Sequence, residues 1–364
     1  MATVQKKQKT PLIHIVKRPQ VAWYHSIIVR AVAIVAALAF SGIVITLLIG
    51  ENPLEVYSSI FDGAFGTSRR IWNLLQSMAM LLCISLAVTP AFKMRFWNIG
   101  AEGQVLIGGL ATVIVMMFLG DKLPLPLLFL VMTAASILAG IVWAFIPAFF
   151  KAMWNTNETL FTLMMNYVAI QLVAYFLKVF VKDGSGALRP MSEYGFPAIG
   201  DNQFILNIII VAALTIAVYI YLKFSKQGYE ISVVGESENT AKYIGINVKK
   251  VIIRTLIISG ALCGIAGLLL VGGTNHTINT ETAGGRGFTA IMVSWLAKFN
   301  PLYMVLTTFL IVFLEKGASQ VSTDFRVPED ISNIITGIIL LFIIGCEFFL
   351  QYKVVFRKTR KEND

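Results

Sequence analysis

Ten blocks of apolar residues, most of them about twenty residues long and nearly free of charge, fill the chain from Ile27 to Leu350. No feature narrows the choice of fold more. A helix rising 1.5 Å per residue needs a run of that length to cross the hydrocarbon of a bilayer. Backbone amides and carbonyls find no water there, so spans must satisfy their hydrogen bonds internally, as helices do. The sequence predicts spans over 27–49, 71–92, 99–119, 125–150, 159–181, 204–224 and 251–271, then a short block at 287–297, then 301–314 and 331–350. Charged residues make up 14% of the chain against roughly a quarter in soluble domains, which leaves too little polar surface for a water-soluble protein.

The expected fold is therefore all-α and integral to the membrane, with about ten transmembrane helices. Residues 1–26 read as a cytoplasmic N-terminal segment and 27–350 as the polytopic domain. Within that domain 225–250 is a polar loop, and 351–364 is a basic cytoplasmic tail. The first apolar block follows about thirty basic, polar residues and is longer than the apolar core of a signal peptide, so it is expected to be a retained span.

The short block at 287–297 decides the topology. If it crosses, ten spans put both termini on one side. If it turns back, the termini lie on opposite sides. In the ten-span arrangement 21 of the 30 Lys and Arg residues fall on the side of the termini, including Lys6, Lys7, Lys9, Lys17 and Arg18 at one end and Lys353, Arg357, Lys358, Arg360 and Lys361 at the other. Cytoplasmic loops carry such an excess, which favours ten spans with both termini cytoplasmic. It also explains the net charge of +10 without nucleic acid as a partner, since no basic stripe interleaved with aromatics is present.

Catalytic and metal chemistry find little support. Cys83, Cys263 and Cys346 lie singly in apolar blocks, and His14, His25 and His276 form no pair with ligand spacing. No G-x-x-x-x-G-K-[ST] loop is present to hold nucleotide phosphates. A weak internal repeat points to transport: Asn98-Ile-Gly-Ala-Glu-Gly-Gln104 and Gly284-Gly-Arg-Gly-Phe288 are short, glycine-rich segments at corresponding places, each followed by a Pro-containing turn and further spans. Such interrupted segments occur where broken helices line a pathway. An ion-coupled transporter would want ionisable groups in several spans, and only Glu102 qualifies.

The run Phe96-Trp-Asn-Ile-Gly-Ala-Glu-Gly-Gln104 resembles a signature of the nucleoside-type permeases, a branch of the ABC importers that also includes ribose and branched-chain amino acid permeases. Asn157-Glu158 through Asn166-Tyr167, Val234-Gly235-Glu236 through Ala241-Lys-Tyr-Ile-Gly245-Ile-Asn247, and Gly285-Arg-Gly-Phe-Thr-Ala-Ile291 are similar to the same family. The resemblance implies a transport subunit, not an enzyme, in a bacterial cytoplasmic membrane. It implies a separate ATPase carrying ATP and Mg, a second similar permease, and an extracytoplasmic binding lipoprotein that delivers a nucleoside, purine nucleosides favoured. A simple sugar such as ribose is the neighbouring alternative. This chain itself is expected to bind no cofactor and no metal.

On that reading, Gly235, Glu236, Asn239, Ala241, Tyr243 and Gly245 form the ATPase-coupling loop, with a short helix starting near Asn239-Thr240. Asn98, Glu102, Gln104, Asn166 and Arg286 are the candidates for the substrate path. Each has a competing structural role. Glu102 would cap backbone amides in the Gly-rich turn, Asn166 would tie helices together, and Arg286 would be a solvated loop charge. Thr133, Ser136 and Gly140 with Ala134 and Ala139 predict a face of small residues where helices approach closely.

Overall fold

A computed structural model describes residues 13–17, 23–181, 188–200 and 202–356. The basic residues Lys6, Lys7, Lys9, Arg18, Arg357, Lys358, Arg360 and Lys361 lie outside the described residues. Thirteen α-helices are found among the described residues: α1 (Trp23–Leu48), α2 (Pro53–Phe65), α3 (Ser68–Lys93), α4 (Ala101–Leu119), α5 (Leu125–Trp154), α6 (Glu158–Phe180), α7 (Ile205–Phe224), α8 (Lys226–Glu236), α9 (Glu238–Tyr243), α10 (Val248–Leu270), α11 (Arg286–Leu296), α12 (Pro301–Asp324) and α13 (Glu329–Gln351). Seven of them are long and apolar enough to cross a bilayer by themselves; α1 and α2 meet that length and composition together across a 107° break, as one broken span or as a re-entrant turn, and α13 carries a shorter apolar stretch, Asp330–Cys346. The membrane-embedded, helical character expected from the apolar blocks is the one observed.

Three local features depart from the sequence reading. Residues 53–65, read as a connection, form α2, because Asn52 accepts the Leu54 amide, Pro53 fits the first helical turn and Glu55 follows it. The segment 225–250 holds two helices in place of a loop. Beyond them, two short strands, β1 (Ile13–Lys17) and β2 (Tyr352–Phe356), pair antiparallel with Lys17 opposite Tyr352. Their alternation of branched and polar residues suits a strand but is too brief to stand out beside the spans.

Helix starts follow the sequence closely. Thr67, Asn157, Ser225, Ser237 and Asn247 each accept an amide of the first turn that follows. α5 ends where Asn155 turns left-handed, at φ 51°.

The chain divides into two compact units, residues 1–66 with 313–364, and residues 67–312. In the first, Ser41 bonds Tyr57 across the bend at 2.9 Å, Ser59 donates to Asp324, and Gly317 is close enough to Ile60 that a methyl group would overlap it. In the second, α10 is the central helix and packs against α3, α4 and α5. Lipid tails are as apolar as leucine, so close backbone approach takes the place of the hydrophobic effect between spans. Methyl groups on Gly140, Gly260, Gly264 or Gly267 would each run into a backbone oxygen of the facing helix, and Ser136 donates to the Gly264 carbonyl. The small-residue face foreseen at Ser136 and Gly140 is the α5–α10 crossing. Outward residues of the same unit, among them Leu130, Leu138, Ile209 and Ile216, are exposed aliphatics suited to lipid.

Candidate functional site

The site is assembled at the start of α4. Between α3 and α4 the chain runs unwound over residues 94–100, and α4 begins at Gly100, which offers no side chain to cap it. Asn98 takes over that task. Its Oδ1 accepts the Gly100 amide at 3.1 Å and Gln104 Nε2 at 3.3 Å, while its Nδ2 donates to Ser259 on α10 at 3.2 Å. From α6, Asn166 bonds the same turn in both directions. Its Oδ1 accepts the Gly103 amide at 2.8 Å, and its Nδ2 donates to the Ile99 carbonyl at 2.9 Å. Thr162 accepts the Ile99 amide at 3.2 Å, one helical turn earlier.

Glu102 completes the node. It is buried, at 7% exposure, and its two carboxylate oxygens accept the amides of Gly285 and Gly287, each at 2.7 Å. Those amides belong to the first turn of α11, where the helix carries partial positive charge and unpaired N–H groups. Bare backbone is needed for the approach. A methyl on Gly287 would stand 2.5 Å from the Glu102 amide nitrogen, and Gly285 sits at φ 71°, in the left-handed region. Two interrupted, glycine-rich segments far apart in sequence thus meet through one carboxylate.

All five residues singled out from the sequence gather here. Asn98, Glu102, Gln104 and Asn166 surround the start of α4, and Arg286 is the first residue of α11, between the two glycines that Glu102 holds, half-buried where the sequence suggested a solvated loop. Beside them Trp97 lies 5.8 Å from Trp295, ring centre to ring centre, and both indoles are about half exposed. Thr162 and Ser259 belong to the node and escaped the sequence reading, because single hydroxyls inside apolar blocks carry no spacing signature.

The second cluster, Gly235 to Gly245, lies on α8 and α9. Gly235 is buried on the Lys93 carbonyl at the end of α3, and Ala241 is buried fully. Glu236, Asn239 and Gly245 are exposed, and Tyr243 is 92% exposed. The helix starts at Glu238, one residue before Asn239, because Ser237 is the residue whose hydroxyl accepts the Thr240 amide, at 3.2 Å. Arg254 on α10 holds Glu230 of α8 at 2.8 Å, which anchors the pair of short helices and leaves the α9 face open.

A family of permeases, described as the permease component of the branched-chain amino acid transport system, matches residues 70–344. The chain belongs to that family. As a permease of the ABC-importer type it has relatives of several solute classes. The glucose ABC transporter permease TsgB13 of Haloferax volcanii is 29% identical, with 91% of this chain and 90% of that protein covered. The guanosine permease NupP of Bacillus subtilis is 29% identical over 87% and 92% of the two chains. The nucleoside permease NupB of Lactococcus lactis is 27% identical over 93% and 96%. The solved structure of PsaBC from Streptococcus pneumoniae, in complex with Fab, covers 80% of the permease and 95% of its own chain at 13% identity and a TM-score of 0.45, too loose a likeness to argue from.

Proposed function

We propose that the permease forms half of the membrane channel of an ATP-driven importer for nucleosides, purine nucleosides favoured, in a bacterial cytoplasmic membrane with both termini cytoplasmic. The observation that carries the solute class is the pair of nucleoside relatives, aligned over 87% and 93% of this chain, together with the Phe96–Gln104 signature. A separate ATPase, carrying ATP and Mg, docks on α9 and its exposed Tyr243, and a second similar permease completes the pathway. An extracytoplasmic binding lipoprotein delivers the solute. The rigid node at the start of α4 links α4, α6, α10 and α11, so that motion received at α8 and α9 reaches the segments that line the path. A sugar is the second reading, favoured by the Haloferax relative at the same identity as the guanosine permease.

The test is a gentle detergent pull-down of the tagged permease from its native membrane, with ATP hydrolysis measured on the eluate. A co-purifying ATPase stimulated by a nucleoside and its binding protein supports the proposal. Stimulation by a hexose or pentose and not by nucleosides moves the assignment to the second reading. A permease that emerges alone and accumulates solute in liposomes from an ion gradient overturns both.

A further inference from the structure

At the end of α10 remote from α8 and α9, the helix widens into a π-turn, Val271–Asn275, and three polar side chains from three elements meet on it. Gln76 of α3 donates through Nε2 to Thr274 Oγ1. Asn207 of α7 donates through Nδ2 to the same hydroxyl at 3.3 Å, to the Gly273 carbonyl at 3.2 Å and to the Leu269 carbonyl at 3.5 Å. Thr274 passes its own proton to the Leu269 carbonyl at 3.3 Å. Asn207 is seated hard on the turn, since a methyl at Gly273 would overlap its carboxamide. The network points its donors inward and leaves two acceptors over. Gln76 Oε1 and Asn207 Oδ1 have no partner, although the two residues are only 4% and 0% exposed.

A buried acceptor left unpaired is costly, and two at one place call for a reason. The π-turn supplies context, because such widened turns are frequent at functional sites. Acceptor oxygens alone do not suit an anion, and with no carboxylate in the cluster they make a poor cage for a divalent cation. They do suit hydroxyl and N–H donors. Neutral carboxamides hold such groups weakly enough to release them, as a transport path requires.

We propose that Gln76 Oε1 and Asn207 Oδ1 form a contact station for the transported solute, accepting hydrogen bonds from its hydroxyl groups. The inference rests on the reading that this permease carries a hydroxylated solute. It adds the place where those hydroxyls are recognised. Ribose and hexose hydroxyls share the required chemistry.

The test uses the permease reconstituted in liposomes with its ATPase and binding protein. Uptake kcat/KM is compared for guanosine and its 2′-, 3′- and 5′-deoxy forms, with glucose and its deoxy forms run in parallel. The wild type is expected to discriminate against the loss of one particular hydroxyl by about tenfold, a difference of about 1.4 kcal/mol typical of one hydrogen bond. Gln76→Leu should bring that ratio close to one, and Gln76→Glu, which keeps an acceptor oxygen, should retain part of it. Should Gln76→Leu fail to assemble, Gln76→Met supplies the same comparison with an apolar side chain of similar length. The proposal is overturned if the wild type ignores every hydroxyl deletion, or if the variants slow parent and deoxy solutes by the same factor. In the latter case the oxygens serve the π-turn and not the solute. A wild type that moves neither nucleoside nor sugar is a different result, seen without any variant, and it removes the transport reading itself along with the station.

Discussion

At the scale of single residues, the strongest constraint is the bidentate hold of Glu102 on α11. A carboxylate that accepts two buried amides contributes more than neutral hydrogen bonds do, about 1.5–3 kcal/mol each. Glu102→Ala is therefore expected to lower the thermal midpoint of the detergent-purified permease by several degrees. Glu102→Gln, which keeps one acceptor oxygen, should lose about half as much. Equal midpoints for wild type and Glu102→Ala would show that the carboxylate does not hold the two segments together. His276 makes a second, pH-dependent case. Its ring is packed on Gly195, and burial pushes its pKa below the ordinary histidine value. A depressed folded pKa means that the unfolded chain binds the proton more readily. Stability is then complete above the ordinary histidine range and declines as pH falls through it towards the lowered value. Thermal midpoints measured from pH 7.5 down to 5 should drop for the wild type, and His276→Gln should flatten that part of the profile.

Among elements, the crossing of α5 and α10 is the least tolerant of added volume. Gly260 and Gly264 face Gly140 and Ser136 with no room for a methyl group. Gly260→Leu should cost well over the 1–3 kcal/mol of ordinary overpacking, because the obstacle is backbone and has no rotamer to change. Loss of monodisperse protein in size-exclusion chromatography would report it, with Gly337→Ala, at a site with open space around it, as the control. The α8–α9 pair is expected to behave differently. Tyr243→Asp leaves packing alone, since the ring is exposed, and should uncouple ATP hydrolysis from uptake while membrane yield stays normal. Coupled uptake at wild-type rates would remove α9 as the docking element. Much of this was legible beforehand. The apolar blocks, the small residues at Ser136 and Gly140, and the glycine-rich segments at 98–104 and 284–288 are local signals that survive in sequence. What stayed hidden depended on contacts between distant segments. Nothing in the apolar text around Gln76 or Asn207 shows that both reach Thr274, and no spacing rule joins Glu102 to Gly285.

For the whole molecule, the pairing of β1 with β2 has an arithmetical consequence. Strands that share a hydrogen-bonded ladder lie on one side of a bilayer, so the chain between Lys17 and Tyr352 must cross it an even number of times. The described helices of 19 residues or more are α1, α3, α4, α5, α6, α7, α10, α12 and α13. If each crosses once, nine is odd, and an uneven count cannot return the chain to its partner strand. With α13 counted as a crossing beside the seven long apolar helices and the α1–α2 pair, one short element, α2 or α11, has to supply the missing passage. The eleven residues of α11 reach across only part of the hydrocarbon at 1.5 Å each, so they would complete the passage inside the protein, where the Glu102 carboxylate satisfies their first turn and no open amides face lipid. Reporter fusions placed after Gly284 and after Asn300 should then light up in opposite compartments, and fusions at the two ends of the chain in the same one.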